Sequence, residues 1–219
     1  MSLQLATANV IVLAHHFNPT ITDQLWLARN FVVRENEMVP PFIFSDMLTQ
    51  VQTSDFHLLI VPDKCQFTPA PALENAQPLI TERVGIIVRE LPHTPYTALG
   101  INFVWHFTQD DLDLNEVTKD LFFVPRKPLH HIFDVPDARF GAYLSKDSLG
   151  FRLKLDVKPV LGLRTDGSKI DLIQFECNYH RAIEESEEAV DVIIQSLTQW
   201  GSAHTEAREI VTAALEGIA

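Results

Sequence analysis

Residues 96–108, Y-T-A-L-G-I-N-F-V-W-H-F-T, decide the fold of this chain. The stretch alternates strictly, which is the pattern of a β-strand whose successive side chains point to opposite faces of a sheet. One set of positions is bulky and apolar: Leu99, Ile101, Phe103, Trp105 and Phe107. The other set is smaller and partly polar: Gly100, Asn102, Val104 and His106. This difference predicts a sheet with one face covered by helices.

Upstream of this strand, the pattern predicts further strands and two helices. Apolar runs between turn signals predict strands at 8–14, 42–51, 55–61 and 64–68. Pro40-Pro41 is expected to end the element that comes before these two prolines. A short helix is predicted from Thr22, as its N-cap, to Val33. Apolar residues recur three and four apart from Leu73 to Leu91, which predicts a helix at 75–91 with Pro78 in its first turn.

Downstream, acidic residues Asp110, Asp111 and Asp113 predict the start of a short helix that ends near Lys119. Two hairpins are predicted next. One joins strands 139–145 and 150–161 through Lys146–Leu149, and the other turns at Asp166-Gly167 into a strand at 169–181. A helix is predicted to start at Ser186 and to break at Gly201-Ser202. Hairpins without strict strand–helix alternation favour an α+β fold, with a mostly antiparallel, twisted sheet and helices packed on one face.

The length of 219 residues fits a single globular α+β protein. An internal echo suggests an alternative. Ile101-Asn102-Phe103 followed by Phe107 resembles Ile173-Gln174-Phe175 followed by Tyr179. Two similar halves, 1–122 and 123–219, would account for this echo, although amphipathic strands of one sheet also look alike.

The charge of the chain argues against a general affinity for nucleic acid or anionic membranes, because the formal net charge is −12. It is unevenly distributed. Residues 139–181 carry eight basic and five acidic residues, whereas the segment from Glu184 onward carries eight acidic residues and one basic residue. No membrane-length apolar run occurs, and the start of the chain lacks the basic region of a secretory signal. We therefore expect a cytoplasmic protein that binds neither nucleic acid nor membrane.

Cysteine and histidine do not form a motif of known chemistry. Cys65 and Cys177 are far from each other in sequence, without C-x-x-C spacing, and are expected to pack as small reduced hydrophobes. The pairs His15-His16 and His130-His131 cannot each supply two ligands to one metal from an extended segment. We therefore expect no metal and no cofactor.

A polar set on the less apolar sheet face is the candidate site. His106, Glu176 and His180 are the catalytic candidates, because histidine and carboxylate can exchange protons. Asn102 and Asn178 on the same face, with Arg152 and Lys154 on the neighbouring predicted strand, are the candidates for ligand binding. The alternative is a solvated sheet face on which opposite charges pair across strands.

The absence of a phosphate loop, a G-x-S-x-G elbow or a readable triad favours a binding or protein-interaction protein without catalytic activity. The alternative is a cofactor-independent enzyme, for which at least three of Asn102, His106, Glu176 and His180 should share a cleft. The basic and acidic segments could meet within one molecule or between two copies, and the second alternative predicts self-association as a homodimer. The apolar candidates for that contact lie outside the apolar faces of the clearly periodic helices and strands: Trp26, Phe42, Phe44, Phe122, Phe123 and Phe133.

Overall fold

The computed structural model describes residues 2–71, 73, 75–109, 112–163, 166–184 and 188–216. Its strands form one nine-stranded sheet in the order β2-β3-β4-β5-β1-β6-β9-β8-β7, and every neighbouring pair is antiparallel. The strands are β1 (Ser2–Ala14), β2 (Val39–Phe44), β3 (Thr49–Gln52), β4 (Phe56–Val61), β5 (Lys64–Pro69), β6 (Tyr96–Thr108), β7 (Ala142–Ser148), β8 (Phe151–Leu163) and β9 (Lys169–Ala182). The predicted antiparallel α+β class is confirmed.

Helices cover one face of this sheet. They are α1 (Gln24–Arg29), α2 (Gln77–Glu90), α3 (Leu114–Phe122), α4 (Pro128–Ile132), α5 (Ala189–Leu197) and α6 (Trp200–Leu215). The core lies between the sheet and the apolar stripes of α2, α5 and α6, which include Ile80, Ile193 and Val211. Alternate residues of the central strands are buried in this core, and the residues between them are half-exposed on the other face. The latter is called the open face below.

The strand predicted at 96–108 has those bounds as β6. Its bulky side contacts the helices as expected: the ring of Phe103 lies 4.9 Å from that of Trp200 on α6 and 6.2 Å from that of Tyr179 on β9. The helix predicted at 75–91 is also confirmed as α2, with Pro78 in its first turn. Both predictions relied on long periodic patterns, which are the most dependable sequence signal.

The prediction of one strand at 42–51 was wrong, because the chain turns in its middle. Ser45 makes this turn, its hydroxyl accepting hydrogen bonds from the backbone N–H of Met47 (3.3 Å) and Leu48 (3.0 Å). Pro40 and Pro41, expected to end the preceding element, lie inside β2. An edge strand tolerates proline, because the outward-facing N–H has no ladder partner to lose.

The first helix also begins later than predicted. Asp23 is the N-cap, and its carboxylate accepts from the backbone N–H of Trp26 at 2.8 Å. Thr22, the predicted cap, is buried and its hydroxyl lies 3.1 Å from that of Thr49 on β3. The helix ends at Arg29, and Phe31 then adopts a φ of 58°, so the predicted extension to Val33 was wrong.

Two further boundaries differ from the sequence prediction. The β7–β8 hairpin turns at Leu149-Gly150, both with positive φ, instead of at Lys146–Leu149. The break between the C-terminal helices lies at residues 198–199, and Gly201 is inside α6. A Cβ on Gly201 would meet Oε1 of Gln77 at 2.5 Å, so this glycine allows a close approach between α6 and α2. The predicted start at Ser186 lies outside the described residues.

Asp113 caps α3 as predicted, accepting from the backbone N–H of Asn115 at 2.9 Å, and the helix continues past Lys119 to Phe122. Asp110 and Asp111 lie outside the described residues. The sequence echo has a simple cause: β6 and β9 are paired neighbours, with Phe103 opposite Cys177 and Phe107 opposite Ile173. They face the same core and carry similar residues. The halves 1–122 and 123–219 stay a prediction.

Replacing Phe103 by alanine tests the assignment of the covered face. Phe103 is 0% exposed, so the substitution should lower the free energy of unfolding by about 3–5 kcal/mol, from lost burial and a residual cavity. Urea denaturation measures this loss. Val104→Ala, one residue away on the open face, is the matched control and should cost much less. A loss below about 1 kcal/mol for Phe103→Ala would contradict the assignment of this side chain to the helix-covered face.

Candidate functional site

A row of asparagines crosses the centre of the open face. Asn9 on β1, Asn102 on β6 and Asn178 on β9 are directly opposite one another in the antiparallel register. The side-chain amide of Asn178 donates to the Asn102 oxygen, and the Asn102 amide donates to the Asn9 oxygen at 2.8 Å. These three side chains therefore form a chain of hydrogen bonds across three strands. Sequence analysis named Asn102 and Asn178 but missed Asn9.

The two basic candidates lie in and next to this row. Lys154 on β8 is opposite Asn178, and Arg152 is opposite His180 in the adjacent row. The structure therefore brings Asn102, Asn178, Lys154, Arg152 and His180 into one continuous polar strip. The strip follows directly from the strand order β6-β9-β8.

Two basic side chains of the open face, Arg152 on this strip and Lys158 beyond it, are paired with acidic neighbours. Arg152 donates to a carboxylate oxygen of Asp147 at 3.1 Å and to the hydroxyl of Ser145 at 2.7 Å. Lys158 bonds to Asp156 at 2.5 Å and lies 4.0 Å from Glu176. These exposed pairs each contribute little to stability. They do lower the net positive charge available to an anionic ligand.

His106 and His180 are not brought together. His106 on β6 is opposite Gln174 on β9, and its Nε2 lies 3.3 Å from the Gln174 Oε1. His180 comes six residues after Gln174 on β9. At about 3.3 Å per residue, the two imidazoles are on the order of 20 Å apart. Glu176 lies between these rows and is engaged with Lys158. One substrate atom cannot be reached by both histidines.

His180 lies at an open depression of about 580 Å³, which Arg152 also lines. His106, Glu176 and Asn102 are not among the residues that line it. Burial and the nearby charge of Lys154 lower the pKa of His180 below its ordinary value, so the imidazole is neutral at pH 7. The catalytic role of His106, Glu176 and His180 stays a prediction.

A second polar cluster, which sequence analysis missed, lies on the covered face. The carboxylate of Glu206 on α6 accepts three kinds of hydrogen bond: from Lys146 at 2.6 Å, from Ser148 at 2.8 and 2.9 Å, and from Tyr179 at 3.2 Å. Lys146 and Ser148 belong to β7, and Tyr179 belongs to β9. The Glu206 cluster therefore ties α6 to two strands of the sheet. No sequence signal links these residues, because the bond from Ser148 spans 58 positions.

The charges and hydrogen bonds of the Glu206 cluster are suited to holding α6 against the sheet. Partial burial alone would raise the pKa of Glu206, but the hydrogen bonds from Lys146 and Ser148 hold it below its ordinary value of 4.5. Burial, followed by the charge of Glu206, raises the pKa of Tyr179. Glu206 is therefore ionised and Tyr179 protonated at neutral pH. A carboxylate with this many donors is stabilised as an acceptor and is a poor general base.

The two cysteines are buried in the core and unpaired. Burial raises the pKa of each thiol to about 12, so neither is a thiolate at neutral pH. Within the described residues, no three His, Cys, Asp or Glu side chains form a group that could hold a metal ion. The pairs at His15 and His130 lie in a connection after β1 and in α4, respectively.

Comparison with known proteins leaves the function to be inferred from geometry alone. No protein-family model matches the sequence, and no curated protein matches it significantly. Among the helices in the described ranges, none is both long enough and apolar enough to cross a bilayer. Function must be argued from sites, since one fold can carry many activities.

Removing the carboxylate charge at Glu206 should make stability less sensitive to acid. Because the folded-state pKa of Glu206 is depressed, its ionisation stabilises the fold above its unfolded-state pKa, and this stabilisation is lost as the pH falls through the folded-state pKa. Glu206→Gln should lower the free energy of unfolding by about 1–3 kcal/mol at neutral pH. Urea denaturation from pH 7 to about pH 3 should show this difference shrink below about pH 4.5.

Glu209→Gln, at an exposed position of the same helix, is the control for this pH series. It should change stability by less than about 0.5 kcal/mol throughout. The prediction is contradicted if the free energies of unfolding of Glu206→Gln and the natural chain differ by the same amount from pH 7 down to about pH 3.

Proposed function

We propose that this protein is a non-catalytic, cytoplasmic protein-interaction protein, and that it binds a second copy of itself through β7. The observation that carries the proposal is a set of exposed apolar side chains on and around this edge strand. Tyr143 is 65% exposed and Leu144 53%, and Leu163 at the end of β8 is 75% exposed. Large apolar side chains exposed around an edge strand favour a role in protein interaction.

The segment before β7 carries further exposed apolar side chains. Ile132 at the end of α4 is 74% exposed, and Leu129 and Phe133 next to it are exposed as well. This segment is held near β7 by ring contacts of Phe140, which lies 5.1 Å from Phe123 and 6.2 Å from His130. The β7 surface is defined here as Leu129, Ile132, Phe133, Tyr143, Leu144, Leu161 and Leu163.

The two outer edges of the sheet differ in their ability to pair with another strand. β2 contains Pro40 and Pro41, which cannot donate backbone hydrogen bonds to a new neighbour. β7 has no proline, and among the residues that the structure describes it pairs only with β8. An edge strand that keeps all of its backbone N–H donors is a template for pairing with another chain. The β7 edge is therefore the more competent of the two.

The sequence of β7 allows this strand to pair with β7 of a second copy. In a twofold antiparallel pairing centred on Leu144, this leucine faces the partner's Leu144, and Lys146 faces the partner's Ala142. No like charges are then directly opposite, which favours the pairing. A register centred on Lys146 would place two ammonium groups face to face. Twofold dimers are the commonest soluble oligomers, and their contact surface must be self-complementary in this way.

The predicted charge contact is made within one molecule, at least at Lys146, which bonds to Glu206 of the acidic C-terminal segment. Affinity between copies therefore has to come from apolar contacts, with charge affecting mainly the rate of encounter. Of the six apolar candidates from the sequence, Phe133 lies on the β7 surface and Phe42 is exposed on β2. Trp26, Phe44, Phe122 and Phe123 are half-buried.

Leu144→Lys should convert the dimer to a monomer, because it places two positive charges opposite each other at the twofold axis. Light scattering at tens of micromolar protein, in ~0.15 M and ~0.5 M salt, measures the mass at weak and strong screening. The natural chain should be a dimer in both. Ile43→Lys, at a position 43% exposed on the β2 edge, is the matched control and should remain dimeric. A monomeric natural chain, or a dimer unaffected by Leu144→Lys, would refute the proposal.

A further inference from the structure

A third strand edge lies inside the sheet, at a notch where β5 stops short. β1 runs from Ser2 to Ala14 and pairs with β6 along this whole length. On its other side, within the described ranges, β5 pairs with it only from Val10 to Leu13. The first half of β1 therefore has a strand neighbour on one side only. The segment Ser2–Ala8 and its surroundings on this side are called the β1 notch.

The β1 notch lacks the features that protect the two outer edges. Its sequence, S-L-Q-L-A-T-A, contains no proline and no charged residue. Proteins commonly block an edge with proline, lysine or inward-pointing charge. Ser2, Gln4 and Thr7 of this segment are exposed. An extended peptide can bind such an edge through main-chain hydrogen bonds.

A cavity of about 170 Å³ lies against this edge. Residues 5–8 of β1 form one wall, the end of β5 with residues 70–71 forms a second, and Trp200 and His204 form a third. None of the lining residues carries a carboxylate, ammonium or guanidinium group. A cavity of about 150 Å³ with apolar walls can hold a benzene ring. This cavity therefore has room for one aromatic side chain.

The aromatic wall of the cavity is held in place by the core. Trp200 and His204 lie one helical turn apart on α6 and rest on Phe103, with ring-centre distances of 4.9 and 5.3 Å. His204 also stacks on Trp105 at 5.7 Å. Because these contacts fix the rings before any ligand arrives, little conformational freedom would be lost on binding.

We propose that the β1 notch binds an extended peptide segment of a partner protein. The segment lies antiparallel to Ser2–Ala8, in line with β5, and inserts one uncharged aromatic side chain into the cavity. Backbone pairing supplies affinity that is largely independent of sequence, and the cavity selects the aromatic residue. The site uses neither β7 nor the open face, so it stands apart from the dimer contact.

The probe for this site is a fluorescein-labelled nine-residue peptide, Lys-Thr-Val-Thr-Phe-Thr-Val-Thr-Lys, whose terminal lysines suit a chain of net charge −12. Fluorescence anisotropy should give a Kd at or below about 100 µM. Two altered peptides should bind about tenfold more weakly or worse: one with Ala in place of Phe, and one with alternate backbone nitrogens methylated. Backbone amide NMR signals of residues 2–8 should shift with the first peptide.

Variants of the protein separate this site from the others. Ala70→Leu, which fills the cavity, should weaken binding of the peptide about tenfold, whereas Ala213→Leu at an exposed position of α6 should not. Leu144→Lys should bind the peptide normally, so a failure of the dimer does not affect this test. Three results would overturn the proposal: no binding at about 0.5 mM protein, equal binding of all three peptides, or shifts at residues 2–8 with toluene but not with peptide.

Discussion

The antiparallel pairing of β1 with β6 is the interaction on which the rest of the molecule depends. Twelve residue pairs join these two strands, and they lie in the middle of the nine-stranded sheet. β5 and everything beyond it are joined to the sheet through β1, while β9, β8 and β7 are joined through β6. Because side chains alternate, a slip of one residue in this register would turn Phe103 outward and Asn102 inward. The apolar core and the amide row both specify the same register.

This register also explains why the two faces have different chemistry. The covered face gives its apolar side chains to α2, α5 and α6, and the Glu206 cluster ties α6 to β7 and β9. On the open face, polar side chains satisfy one another: the asparagines form a chain, and Arg152 and Lys158 are engaged by carboxylates. A ligand that replaced these partners would first have to break their hydrogen bonds.

The sequence predicted β6, α2 and the antiparallel class correctly, because long alternating or helical patterns reflect burial along a single element. It placed Asn102, Asn178, His106 and His180 on one face for the same reason. Strand order is set by contacts between distant residues, so the sequence could not show that Arg152 lies opposite His180 or that His106 lies far from it. Single side chains decided the local errors. Ser45 turns the chain between β2 and β3, and Asp23 caps α1 one residue after the expected Thr22.

The edges of the sheet, and not its open face, are where another chain gains most on binding. Backbone N–H and C=O groups at an unpaired edge lose water at little cost when a strand supplies partners in the same geometry. Charged groups on the open face would have to be desolvated against a partner that matched each of them, and such a match rarely exceeds the cost of desolvation. At β2, proline removes backbone donors that a new strand would need. On β7, Lys146 disfavours pairing with a new strand, and the exposed apolar side chains nearby favour it. Ser2–Ala8 carries neither proline nor charge, and a cavity without charged lining residues lies directly beside it.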